Sequence, residues 1–256
     1  LVIISSLRYE TAIPLTKNLN EAFKLVILSF LILLFFIISL SVIYILSFFF
    51  LPNLENQIWL DNNIYLVLSF IFLTGLYTII NFLLLRLKDF NFLAKIKMIE
   101  FFFRFLFQIL LVSLGYIGLF VGYLISLIIP VVFFFSKYIF YKKKYTVSEL
   151  KQVASRFKVY PKFSTIESLT NQLSYYLPII FLLPFFGPTY AGYYFFSVTI
   201  MSIPSTFVSQ SINRVYYSLA AKKNEKNFKK LFKKISENII KLVFPSFFVV
   251  LFSLQE

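Results

Sequence analysis

The sequence predicts an all-α integral membrane protein, a polytopic bundle of spanning helices, on three observations. Of 256 residues 59% are hydrophobic and only 14% charged, whereas a soluble domain carries about a quarter charged residues. The apolar stretch 25–51 alone runs 27 residues without a charge, beyond the roughly 20 that a spanning helix needs. The basic residues collect between alternate runs, as they do in proteins with a fixed orientation in a bilayer.

Residues 1–6 read as the end of a cut helix and not as a signal peptide, because no basic leader or cleavage site accompanies them. The 27 residues 25–51 and the 22 residues 64–85 contain no charge, and each predicts one span. Between them, 52–63 carries Glu55 and Asp61 but no Lys or Arg, so this tip is expected outside. The 36 residues 101–136 would make a single helix of about 54 Å, too long for a core of about 30 Å. Gly115-Tyr116-Ile117-Gly118 offers a turn, which predicts two short helices. Charge supports the split, since one span would put the basic segments 86–97 and 137–162 on opposite faces. Residues 163–186 and 191–212 predict a further hairpin around Gly187-Pro188-Thr189-Tyr190, and 235–254 starts another span.

Along this topology the cytoplasmic segments 8–24, 86–97, 137–162 and 214–241 hold 3, 4, 8 and 9 bases, which is every base of the 25 except Arg104. A net charge of +14 therefore orients the chain in the membrane. Nucleic acid is excluded as a partner, because the basic segments are separated by runs too apolar to leave in water. The 36 Phe and 17 Tyr lie largely within these runs and read as lipid-facing and packing side chains. Cys and His are absent, which removes thiolate nucleophiles, disulfides, Cys/His zinc sites and the commonest general base. No metal, cofactor or catalytic residue is expected, and the chain is not expected to be an enzyme.

Arg104 is the base out of place, about 10 Å along its helix from Lys97. Glu100 stands one turn before it, in the favourable order for an ion pair. The pair can be structural, with the Arg stem snorkelling to the headgroups, or Arg104 can offer paired N–H donors to a pyrophosphate and Glu100 can serve ion coupling. Glu167, Asn171, Ser174 or Tyr175, and Pro178 share one face of a helix, a stripe too polar to turn to lipid. Asn171 and Tyr175 are candidates for binding substrate, and Glu167 for coupling an ion, since a carboxylate is the available proton or Na⁺ carrier where His is lacking. Ser202, Thr206, Ser209 and Asn213 repeat the pattern and fit close helix packing. Lys234, Glu237 and Lys241 reproduce the spacing of Lys97, Glu100 and Arg104 and read as a self-paired helix entry. The Lys-rich stretch 222–234 carries Phe228, Leu231 and Phe232 at amphipathic spacing and is expected to lie along the anionic inner leaflet. With a shift of 206 and no gap, Ser5, Arg8, Lys17, Asn18, Lys24 and Leu25 coincide with Ser211, Arg214, Lys223, Asn224, Lys230 and Leu231, the pattern expected of two related bundles.

Ser6-Leu7-Arg8-Tyr9-Glu10-Thr11-Ala12-Ile13 resembles the segment that follows the second helix in bacterial polysaccharide flippases, the O-antigen and capsule repeat-unit exporters of the MATE-like MOP superfamily. Tyr160-Pro161-Lys162-Phe163-Ser164, Leu177-Pro178, the run from Phe186 through Gly187-Pro188-Thr189-Tyr190 to Tyr194, Ile203-Pro204 and Ser209-Gln210-Ser211-Ile212 are similar to that family's seventh and eighth helices. The resemblance covers essentially the whole chain and implies a fragment of a two-bundle transporter. Residues 1–136 would be the first bundle from the end of helix 2 to helix 6, 137–162 the basic cytoplasmic link, and 163–256 the start of the second bundle, helices 7 to 9. Arg8, Glu10 and Arg214 would belong to cytoplasmic motifs. The implied activity is movement of a polyprenyl-pyrophosphate-linked oligosaccharide across the cytoplasmic membrane. Its partners would be that lipid-linked sugar, membrane lipids and other polysaccharide-assembly proteins. Two alternatives stay open: a multidrug or ion antiporter of the same superfamily, and a membrane glycosyltransferase or polymerase.

Overall fold

A computed structural model describes residues 2–50, 58–138 and 145–220, with side chains over 2–46, 63–138 and 145–202. The span expected at 235–254, the Lys-rich stretch 222–234 and most of the second copy of the internal repeat lie outside the described residues. Every regular element described is helical: α1 Leu19–Phe50, α2 Ile58–Leu87, α3 Phe90–Leu110, α4 Gly115–Tyr138, α5 Val147–Arg156 and α6 Thr165–Ala220. A 3-10 segment, Tyr9–Leu15, precedes α1, and one π-helical turn, Tyr160–Ser164, leads into α6. Four helices among the described residues are long and apolar enough to cross a membrane, covering Leu19–Leu46, Asn63–Leu87, Val112–Tyr138 and Tyr160–Ser202. The chain is an all-α, polytopic membrane protein.

Two compact units divide the chain, 1–175 and 176–256. In the first, α1 and α2 run antiparallel: Thr16 meets Arg86 at one end, and the rings of Phe30 and Phe72 lie 6.4 Å apart further along. Gly75 makes this approach close, since a Cβ there would stand 2.7 Å from Leu33 Cδ1. Helices α3 and α4 form a second antiparallel pair, with Phe92 against Tyr138 at the basic end and the Gln108 amide donating to the Leu119 carbonyl at the far end. Phe70 of α2 joins the two pairs through rings on α4, Phe120 at 5.2 Å and Tyr123 at 5.4 Å.

The break expected within 101–136 is present and sits slightly earlier than the glycine spacing suggested. The chain reverses over Leu111 to Gly115, where Gly115 takes φ 64, a left-handed conformation that costs Gly little. Gly118 instead lies inside α4, where a Cβ would fall 1.8 Å from the Leu111 carbonyl oxygen. One turn on, a Cβ at Gly122 would meet the Gln108 nitrogen at 2.9 Å. Small residues four apart let the backbones touch, which is how helices associate where lipid removes the hydrophobic drive.

The apolar core gathers towards one end, from Tyr9, Ala12 and Ile13 through Leu25, Ile80, Leu84 and Ile96 to Phe134 and Val153. The same end collects the ion pairs. Lys24 Nζ lies 3.0 Å from Glu149, Arg156 pairs with Glu21, and Lys137 Nζ lies 2.6 Å from Asp89. Arg86 donates from Nε to Thr16 Oγ1 at 3.0 Å and from Nη2 to the Lys17 carbonyl at 2.9 Å. Helix α5 is thereby tied to α1, and the Tyr9 hydroxyl donates to the Ala154 carbonyl at 3.2 Å. In the second unit, α6 is interrupted at Gly187, with φ 82 and ψ 173, and is helical again from Pro188.

Candidate functional site

Glu100 and Arg104 meet as their i,i+4 spacing demands, with Arg104 Nη2 donating to Glu100 Oε1. The structure adds what their spacing could not. Glu100 is buried, 4% exposed, and the Tyr77 hydroxyl of α2 donates to its other oxygen at 2.8 Å. The guanidinium carbon of Arg104 stands 4.3 Å from the centroid of the Tyr123 ring on α4 and 5.2 Å from that of Phe101, within the range of cation–π attraction. Arg104 Nε is buried and has no hydrogen-bond partner, and neither has the side-chain oxygen Oδ1 of Asn81, one turn from Tyr77. Three helices thus contribute to one polar cluster, with a carboxylate closed from solvent and a guanidinium whose side chain is 27% exposed. The exposed part of such a guanidinium can offer paired N–H donors to an anion. Tyr77 and Tyr123 escaped the sequence reading. Their one signal was a phenol inside an apolar helix, and nothing in the sequence said that α2 and α4 face the same turn of α3.

Arg8 and Glu10 form a second constellation beside α5. Glu10 is 2% exposed, accepts a 2.6 Å hydrogen bond from Ser6 Oγ, and has Arg8 Nη1 at 3.8 Å. Burial pushes its carboxyl above the ordinary carboxylate range, with the Ser6 hydroxyl and the Arg8 charge acting in the opposite sense. Leu7 and Arg8 both take positive φ, 49 and 58, which turns the chain sharply into the 3-10 segment. Across the same end, Asp89 caps α3 by accepting from the Phe92 N–H at 3.2 Å. Hydrogen bonds from Lys137 and Tyr138 hold its carboxyl down at about 2.

Glu167, Asn171 and Tyr175 lie on α6 and are all exposed. The Ser174 hydroxyl between them turns back to the Thr170 carbonyl at 2.9 Å. None of the three joins the Arg104 cluster. Arg214 falls on α6 beyond the residues whose side chains are described. Among the described residues no group of three or more His, Cys, Asp or Glu is placed to hold a metal ion.

No curated protein matches the chain, and no solved structure does. The family described as polysaccharide biosynthesis protein matches residues 14–256, from within the 3-10 segment to the last residue. With nearly the whole length matched, in a helical membrane chain whose sequence resembles the same class of protein, the chain belongs to the polysaccharide biosynthesis protein family.

Proposed function

We propose that the chain is part of a flippase that moves polyprenyl-pyrophosphate-linked oligosaccharide repeat units across the cytoplasmic membrane by alternating access, without making or breaking a covalent bond. The observation that carries the reading is the family match over 14–256 in a chain with four helices fit to span a membrane. Polysaccharide assembly on a lipid carrier needs its intermediates carried past the bilayer, and a polytopic helical protein suits that step. A glycosyltransferase or polymerase would hold its reacting groups on a sizeable outward loop, and the longest outward segment, 52–63, offers only Glu55 and Asp61. Arg104 is the group for the pyrophosphate, with paired planar donors on a side chain 27% exposed. Asn171 and Tyr175 offer an amide and a phenol to sugar hydroxyls, and Glu167 a carboxylate to a coupling ion. The basic end faces the cytoplasm.

Export of the glycan, normalised to protein in the membrane, tests the reading. Arg104→Lys keeps the charge and loses the planar fork, so export per molecule falls by about ten- to a hundredfold, the effect of one charge-assisted hydrogen bond of roughly 1.5–3 kcal/mol. Wild-type export per molecule in Arg104→Lys, with matched losses of protein in Arg104→Ala and Glu100→Gln, makes the pair structural and removes Arg104 from the transport site.

A further inference from the structure

We propose that an anionic diphosphate and a proton enter the Arg104 cluster together, the anion at the guanidinium and the proton on Glu100. The inference rests on the flippase reading of Arg104 and adds to it a stoichiometry. Glu100 is buried, 4% exposed, on α3 with Tyr77 of α2 against it and Tyr123 of α4 over its partner Arg104. Among the described residues its one ion-pair partner is Arg104. The Tyr77 hydroxyl at 2.8 Å lends a hydrogen bond but no charge. The other groups on these helices are committed or turned away. Lys97, one turn earlier on α3, is exposed. Arg86 of α2 is held by Thr16 and Lys17, and Lys137 of α4 by Asp89. Tyr123 presents its ring to Arg104.

Paired donation from the guanidinium to a diphosphate uses Nη2, the nitrogen that now serves Glu100, so in this proposal Arg104 turns to the anion by giving up Glu100. A diphosphate that draws the guanidinium away leaves a carboxylate buried with no counter-charge, an arrangement that proteins avoid by neutralising the group. Proton uptake at Glu100 Oε1, the oxygen that Arg104 vacates, restores neutrality, and Tyr77 still satisfies Oε2. The reverse holds on release: the diphosphate leaves, Arg104 returns, and Glu100 gives up its proton. Linkage then requires that acidity strengthen diphosphate binding and that the bound diphosphate strengthen the hold on the proton by the same factor.

The full-length protein in lipid nanodiscs, titrated with farnesyl diphosphate in weak buffer with an indicator dye above pH 8, reads both quantities. The expected result is uptake of up to one proton per bound probe, with affinity falling as pH rises. Glu100→Gln serves as the blank for protons exchanged by the probe itself, and its affinity is expected not to vary with pH. Binding that depends on Arg104 but takes up no proton in the wild type overturns the proposal and leaves the flippase reading standing, and this outcome needs no variant at Glu100. Equal uptake in Glu100→Gln overturns it too. No binding by the wild type, or undiminished binding in Arg104→Ala, removes the diphosphate site from Arg104 and the proposal with it.

Discussion

A methyl group added at Gly118 would stand 1.8 Å from the Leu111 carbonyl, a backbone atom that cannot swing aside as a side chain can. One added at Gly192 would meet nothing within 4 Å. Gly118→Ala is therefore expected to destabilise by about 1–3 kcal/mol, the usual cost of overpacking, while Gly192→Ala leaves stability unchanged or slightly improved through better helix propensity. Thermal unfolding in detergent, followed by far-UV circular dichroism, distinguishes the two. The contrast also marks how far single residues could be read. Glu100 and Arg104 were legible as a pair because spacing along one helix is a distance. Gly118 was read as turn material because Gly serves turns and close contacts alike, and only the position of Leu111 separates the two uses.

Helix α5 depends on Glu149 twice, since that carboxylate accepts the Thr146 N–H at 3.0 Å at the start of the helix and pairs with Lys24 of α1. The Thr146 hydrogen bond first, then Lys24, holds the carboxyl below its ordinary value of 4.5. A depressed value means that the support is present above 4.5 and is lost as pH falls through the folded value. The protection of the 147–156 amides, taken as the intrinsic exchange rate at each pH over the observed rate, is expected to fall on acidification below pH 4.5, and Glu149→Gln should show the lower protection already at neutral pH. Exchange in Glu149→Gln that matches wild type at pH 7 would dismiss this role. In the sequence this segment read as part of a basic link, because 137–162 holds 8 bases against the one acid Glu149. Its packing on α1 became visible only with Tyr9, Glu21 and Lys24 in place. The division of 101–136 into two helices, by contrast, was legible from length and charge, because a bilayer limits both. The polar stripe on α6 was legible as a stripe, but its neighbours belong to no pattern within the helix itself.

At the scale of the molecule, the ends of α2, α3 and α4 that carry Arg86, Asp89 and Lys137 come together with Thr16, Lys24 and α5. Single cysteines are clean reporters here, as the chain has none of its own. Cysteines replacing Lys17, Lys95, Lys151 and Asn224 are expected to react with an impermeant maleimide only after permeabilisation, and those replacing Asn56 and Gly187 in intact cells. Reaction at position 187 only after permeabilisation would reverse the assignment. The α3–α4 pair bears on how the chain is made. Helix α3 carries Lys95, Lys97, Glu100 and Arg104 and falls outside the four helices apolar enough to span alone, and each central charge costs about 2.5–3.5 kcal/mol on insertion. Its relief comes from α4: Tyr123 under the guanidinium and two glycines that admit its backbone. Helix α3 is therefore expected to enter the lipid together with α4, the two as one hairpin.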